Sequence, residues 1–227
     1  MCTCSKPQDK KTEPGNSPLQ GTSGGQGISP LHNIIAVTNR HLCSRPLTEQ
    51  VERICRLSPK AVILREKDLT EEEYALAAEE IMEICSRYSV PCILHTFAET
   101  AINLNCPAIH LPLPLLRRHQ AEGTWDRIKD NFSIIGTSVH SVEEAIEAEK
   151  LGAACITAGH IYATDCKKGL PPRGPRFLQA VCESVSIPVY AIGGIHMEGK
   201  HVSKKQMEEI MACGAAGGCV MSGMMTV

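Results

Sequence analysis

The segment Gly136-Thr137-Ser138-Val139-His140-Ser141 carries a serine and a histidine two positions apart. In an extended strand that spacing puts Ser138 and His140 on one side and Val139 on the other. Imidazole is the side chain whose ordinary titration lies near neutral pH, so a histidine at a strand end is suited to accept a proton and return it. A structural histidine bonded to the neighbouring helix cap fits the same pattern. Two further segments, Ala191-Ile192-Gly193-Gly194-Ile195 and Val220-Met221-Ser222-Gly223, join glycines to apolar runs. Gly193, Gly194 and Gly223 let backbone N–H groups approach an anion, and the Ser222 hydroxyl adds a donor; tight corners alone would also call for glycine.

Cations gather at two other places. Arg65-Glu66-Lys67 follows one apolar run, and the loop from Gly159 to Gly169 contains Thr164, Lys167 and Lys168. Arg65, Lys67, Thr164 and Lys167 form a candidate clamp for an anionic substrate, against the alternative of a solvated loop with surface lysines. Together with the glycine-rich ends they point to a phosphorylated ligand. His110 reads as a barrel histidine with its hydrogen bonds satisfied, and His119, His196 and His201 fall in loop-like contexts. Trp125 and Tyr74 read as packing residues. No HxH, HExxH or clustered acidic set is present, so no dedicated metal site is expected. Neither GxxxxGK[ST] nor GxGxxG occurs, which removes P-loop and dinucleotide readings.

The elements that must position these residues follow a regular rhythm. Apolar runs at 34–38, 61–64, 91–95, 108–111, 134–140, 155–159, 189–193 and 218–222 read as buried parallel strands. Thr70-Glu71-Glu72-Glu73, Ser141-Val142-Glu143-Glu144 and Ser203-Lys204-Lys205-Gln206 read as capping boxes that open helices, the last two closing at Gly152 and Gly214. Further helices are expected over 45–58, 98–105, 122–130 and 175–185. Eight strands with helices between them predict a (β/α)8 TIM barrel, with a doubly wound open sheet as the alternative. In a barrel the chemistry sits at the C-terminal strand ends, often with a phosphate site after strands seven and eight, where the two glycine segments fall.

The chain has 227 residues, 43% of them hydrophobic, with a formal net charge of −2. That balance predicts no nucleic-acid or acidic-membrane partner. The N-terminus lacks the apolar core of a signal peptide and no run approaches the roughly 20 residues of a membrane span, so a cytoplasmic protein is expected. Residues 1–32 are rich in Lys, Pro, Gly, Ser and Gln and are expected to be a disordered tail, leaving 33–227 as one folded domain. The twelve cysteines show no CxxC pair, and reduced thiols, mostly buried, are expected. The strand at 218–222 leaves little chain for another helix, so the barrel is expected to lack most of its final helix, with a partner subunit or the tail covering the gap.

As a set, Leu64-Arg65-Glu66-Lys67-Asp68, Gly136 through Ala145, the Gly159–Gly169 loop, Ile187 through Ile195 and Met221-Ser222-Gly223 resemble the thiamine phosphate synthase/TenI superfamily, in the same order and over about residues 34–224. Thiamine phosphate synthases join a pyrimidine diphosphate to a thiazole phosphate with magnesium held by acidic residues. Their Asn-Asp-Arg and Gly-Gln-x-Asp segments are His95-Thr96-Phe97 and Leu111-Pro112-Leu113-Pro114 here, and their usual Gln before Leu-Arg-Glu-Lys is Ile63. TenI-like thiazole tautomerases lack the acidic pair and share the Thr-Asp-Cys-Lys-Lys-Gly run of residues 164–169, with the match extending to Arg173-Gly174. The resemblance implies a tautomerase that aromatises a carboxylated dihydrothiazole ethyl phosphate. It implies His140 as the proton-transfer residue, Gly193, Gly194, Ser222 and Gly223 on the phosphate, and Lys167, Thr164, Arg65 or Ser138 on the carboxylate or the developing charge. No cofactor is implied, magnesium entering only with the synthase alternative. A non-catalytic thiazole-phosphate-binding regulator is a third reading. Whether His95 or His160 assists, and whether the chain forms a homo-oligomer, stay open.

Overall fold

The computed structural model describes Ser29 and residues 31–227. Eight parallel strands close into a barrel: β1 (Ile34–Val37), β2 (Ala61–Leu64), β3 (Cys92–His95), β4 (Ala108–Pro112), β5 (Ile134–Val139), β6 (Cys155–Gly159), β7 (Val189–Ile192) and β10 (Gly217–Val220). Two short strands, β8 (Met197–Glu198) and β9 (His201–Val202), make an antiparallel hairpin after β7. β10 pairs with β1 through Ile34↔Gly218, Ile35↔Cys219 and Ala36↔Val220. That closure rejects the open sheet, in which these strands would be edges.

The helices are α1 (Leu47–Cys55), α2 (Glu71–Arg87), α3 (Ala98–Asn103), α4 (Leu113–Ala121), α5 (Trp125–Asp130), α6 (Val142–Lys150), α7 (Gly174–Ser184) and α8 (Lys204–Ala212). Their apolar faces and the outward strand residues make the main core. A smaller cluster of Ile35, Val37, Ala61, Ile63, Ile93, Ala108, Tyr190 and Cys219 fills the barrel interior. Period-2 alternation sorts each strand between the two: Val139 joins the outer core, and Ser138 turns inward.

Local signals account for most element ends, with instructive exceptions. Thr70 forms both arms of its capping box with Glu73. At α6 the Ser141 hydroxyl accepts from Glu144 N, but the Glu144 carboxylate reaches past the cap to the backbone N–H of His140 at 2.6 Å. The box expected at Ser203 is absent: its side chain makes no cap bond. Gln206 instead accepts from His196 N and donates to Gly194 O, tying α8 to the end of β7. α4 corrects the sequence reading, which saw only a strand end around Leu113-Pro114. Pro114 sits within the first turn, where its missing N–H costs nothing. His119 is therefore helical rather than in a loop, and His201 belongs to the hairpin.

The tail expected over residues 1–32 lies mostly outside the described residues. Its inner end belongs to the fold: Leu31 is fully buried and the Ser29 hydroxyl donates to Leu57 O at 2.9 Å. Beyond β10 the chain makes a 3-10 turn, Gly223–Met225. Met224 and Met225 are fully buried, and the buried Gln50 side chain of α1 donates to Met224 O at 2.6 Å. The ten described cysteines are all free; Cys55, Cys85, Cys106 and Cys219 are buried, while Cys166 is exposed. Burial pushes the Cys155 thiol up to about 11. No helix among the described residues is long and apolar enough to cross a membrane.

Candidate active site

The polar groups named from the sequence converge on the C-terminal rim of the barrel. His140, one residue past β5, has its ring Nδ1 2.8 Å from the Gly159 carbonyl oxygen at the end of β6. A carbonyl oxygen only accepts, so Nδ1 carries the proton and Nε2 of the neutral ring keeps its lone pair. The alternative of a ring tied to the helix cap does not describe this residue, since it is the His140 backbone N–H that meets Glu144. A cavity of about 430 Å³ is lined by His140, Gly159, His160, Lys167, Arg173 and the apolar Leu170-Pro171-Pro172. No carboxylate is among its lining residues.

The loop after β6 is folded back over the strand end, through Arg173 N to His160 O at 2.9 Å and Gly174 N to Ile161 O at 3.1 Å. Thr164 caps its 3-10 turn, accepting from Cys166 N at 3.4 Å. This hydroxyl organises the loop and does not line the cavity. Lys167 does line it, and also lies near enough to Lys67 to help lower that ammonium's pKa, behind burial and Arg65. Arg65 and Lys167 are thus the cations that act on Lys67, and of the three only Lys167 lines the cavity. Burial lowers the Arg65 guanidinium, with Glu66 acting in the opposite sense.

Gly193 and Gly194 follow β7, and Ser222 and Gly223 follow β10, on strands paired through Ile192↔Cys219. The amides of these four residues make no backbone hydrogen bond to another described residue. Free N–H groups on two adjacent strand ends are the geometry that receives a phosphate. Gly194 is also required sterically, since with φ +68° a Cβ would fall 2.4 Å from Ala163 O.

Deeper in the mouth lies a neutral polar floor that the sequence only partly showed. His95 and His110 stack with centroids 5.5 Å apart. Thr157 donates to Ser138 Oγ at 2.9 Å, and Ser138 Oγ lies 2.8 Å from His110 Nε2. Ser138 is thereby engaged with the barrel wall. Burial pushes His110 down to about 4 and His95 to about 2, with neighbouring Arg65 adding to both and His110 to the latter. Both rings are neutral at pH 7. Thr96, at φ +72°, donates its N–H to His110 O at 3.1 Å. Tyr74 packs fully buried and bridges Leu64 O and His95 N; Trp125 is likewise buried.

Magnesium with a diphosphate calls for hard oxygen ligands. The ends of β3 and β4 offer His95, Thr96 and Phe97, and Leu111, Pro112 and Leu113. Glu66, at the end of β2, directs its carboxylate to Thr38 Oγ1 at 2.7 Å and to the backbone and side chain of Arg40. This donor set does not fit the metal. Arg40, which also pairs with Asp68, is not among the residues the sequence points to, and Arg173 enters there only through the Arg173-Gly174 match, with no role assigned. Arg40 lies in a stretch without periodicity, and nothing local to Leu170-Pro171-Pro172 marks it as a cavity wall.

Residues 34–224 match the family model described as thiamine monophosphate synthase. A putative thiamine-phosphate synthase 2 of Aquifex aeolicus is 33% identical over 168 residues, covering 74% of this chain and 88% of that protein. The thiamine-phosphate synthase of Clostridium novyi is 30% identical over 201 residues, covering 86% and 91%. Among solved structures, a thiamine phosphate pyrophosphorylase from Pyrococcus furiosus superposes with a TM-score of 0.69 at 28% identity, covering 87% of this chain and 89% of that one.

Proposed function

This chain belongs to the thiamine monophosphate synthase/TenI family, and we propose that within it the site catalyses proton transfer, aromatising a carboxylated dihydrothiazole ethyl phosphate. The observation that carries this reading is the His140 ring, fixed by Gly159 O with Nε2 available as base, beside a cavity lined by cations and no carboxylate. In the reaction a proton leaves the ring carbon bearing the carboxylate, and one is added at the exocyclic carbon. One imidazole that takes a proton at Nε2 and returns it suffices, and no redox change occurs. The free amides at Gly193, Gly194, Ser222 and Gly223 would anchor the phosphate, and this anchor would supply much of the orientation. Lys167, Arg65 and Lys67 would offset the charge that grows as the proton leaves.

A second reading, the synthase, is favoured by the names of the relatives, which are thiamine-phosphate synthases rather than tautomerases. Against it stands the donor set at β3 and β4. The two separate in one assay: the dihydrothiazole phosphate is supplied alone, and then with pyrimidine diphosphate and magnesium, and the product is identified. An aromatic carboxythiazole phosphate formed by the protein alone supports the tautomerase. Thiamine phosphate formed only from the full mixture replaces it with the synthase, and binding without either product leaves the regulator.

A further inference from the structure

The wall that faces His140 across the cavity contains a cation to which the proposed reaction has so far given no task. Arg173 lines the cavity with His140 and Lys167, and its position is set from several sides. Its N–H is bonded to His160 O, Pro172 precedes it, and Gly174, at φ +78°, turns the chain directly into α7. Its guanidinium lies over the Phe177 ring one helical turn on, 5.2 Å from the centroid, a contact that restrains the side chain without using its N–H donors. Among the described residues Arg173 forms no ion pair and its side chain donates no hydrogen bond, although ten ion pairs occur elsewhere on the fold. A restrained planar fork with free donors, in a cavity without a carboxylate of its own, is matched to a carboxylate brought in by a ligand.

The chemistry of the substrate says where that carboxylate must be. Carboxylate and departing proton share one ring carbon, so whichever group holds the carboxylate also places the proton relative to the base. The phosphate lies at the other end of the molecule and is matched to the amides on β7 and β10. The β6-loop cavity is the place where a cation and the His140 ring border the same space. Lys167 borders it too, but lies near enough to Lys67 for the two ammonium charges to repel, and an ammonium is a point charge that does not fix the plane of a carboxylate.

We propose that Arg173 reads the substrate carboxylate beside His140, and so sets the preference of this site for a carboxylated over a carboxylate-free thiazole phosphate. The assignment rests on the reading that the site binds a thiazole phosphate. As the ring carbon loses its proton, negative charge moves into the carboxylate, so the same two N–H groups that bind the ground state tighten toward the transition state.

Titration calorimetry with two ligands tests this: carboxythiazole ethyl phosphate and the same phosphate without its carboxylate. The wild-type protein should prefer the first. Arg173→Gln should weaken the carboxylated ligand about 10- to 100-fold, the size expected for losing charge-assisted bonds, and leave the other within about 2-fold. Arg173→Lys should fall between. The side chain is exposed and, apart from its place over the Phe177 ring, makes no hydrogen bond or ion pair to another described residue, so melting temperatures should stay together. An equal loss for both ligands, no loss for either, or no preference in the wild type overturns the assignment. Aromatisation measured on the same samples keeps the two ideas apart. A wild-type protein that discriminates through Arg173 but accelerates no aromatisation removes the tautomerase and leaves the carboxylate site, whereas binding of neither phosphate removes both.

Discussion

The Nδ1 of His140 and the carbonyl oxygen of Gly159 lie 2.8 Å apart, joining the ends of β5 and β6. This bond selects the tautomer, leaves Nε2 as the unbonded nitrogen of a ring that lines the cavity, and would stabilise the imidazolium formed on uptake of a proton. A smaller polar side chain that can still donate to Gly159 O but cannot take up a proton should keep the fold and lose the chemistry. His140→Asn is expected to bind the carboxythiazole phosphate within a few-fold of wild type while slowing aromatisation by about 10²-fold or more. Steady-state turnover beside calorimetric binding checks it, and wild-type turnover would remove His140 from the mechanism.

Gly194 connects the phosphate site to the β6 loop. Its φ of +68° disfavours any side chain, and an added Cβ would meet Ala163 O and Tyr162. Gly194→Ala should cost about 1–3 kcal/mol of stability and weaken inorganic phosphate binding along with the thiazole phosphate. Chemical denaturation and phosphate titration measure the two effects; unchanged phosphate affinity would place the anion elsewhere.

Gln206 makes a more selective probe of the same loop, because it holds His196 N and Gly194 O from α8 without lining the mouth. Gln206→Ala removes its bonds to the exposed His196 N–H and the half-buried Gly194 carbonyl, and should cost about 1 kcal/mol. The His196 N–H, which Gln206 accepts, should exchange faster with solvent, while α6 and its cap stay protected. Hydrogen exchange read by mass spectrometry distinguishes this from a uniform loss of stability.

His95 and His110 make stability depend on pH in a defined sense. Burial holds their folded pKa values at about 2 and about 4, below the ordinary value near 6.5. The unfolded chain therefore binds more protons than the folded one as pH falls below about 6.5. Stability should be full above that pH and fall by order 2 kcal/mol for each histidine on going down to about pH 4.5. His110→Asn, which can still bond Ser138, should flatten the decline between pH 7 and 4.5. Urea melts across that range provide the test, and an unchanged slope would mean that His110 is not the group responsible.

The sequence disclosed the barrel because buried parallel strands leave continuous apolar runs, and every one of the eight coincided with a barrel strand to within a residue or two. The glycines, His140 and the loop lysines could be assigned to strand ends because they stand at or just past the ends of those runs. What stayed hidden depended on long-range contact. Gln206 has the spacing of a capping residue, yet its amide finds the β7 loop, and nothing local to Ser203 distinguishes the two. Ser138 pointed inward as alternation required, but its engagement by Thr157 and His110 needed three strands in register. α4 was missed because two prolines around Leu113 look like a break, although a proline in a first helical turn is compatible with helix.

The central claim is a proton moved by His140 across one substrate. The most direct measurement follows the dihydrothiazole phosphate by NMR in D2O, with the protein alone and no pyrimidine or metal added. Catalysed loss of the ring-carbon proton, its delivery to the exocyclic carbon (replaced by deuterium only in turnovers where the imidazolium exchanges with solvent first), and both rates dropping about 10²-fold or more in His140→Asn are the predicted result. Aromatisation no faster than in buffer, or equally fast without His140, would contradict it.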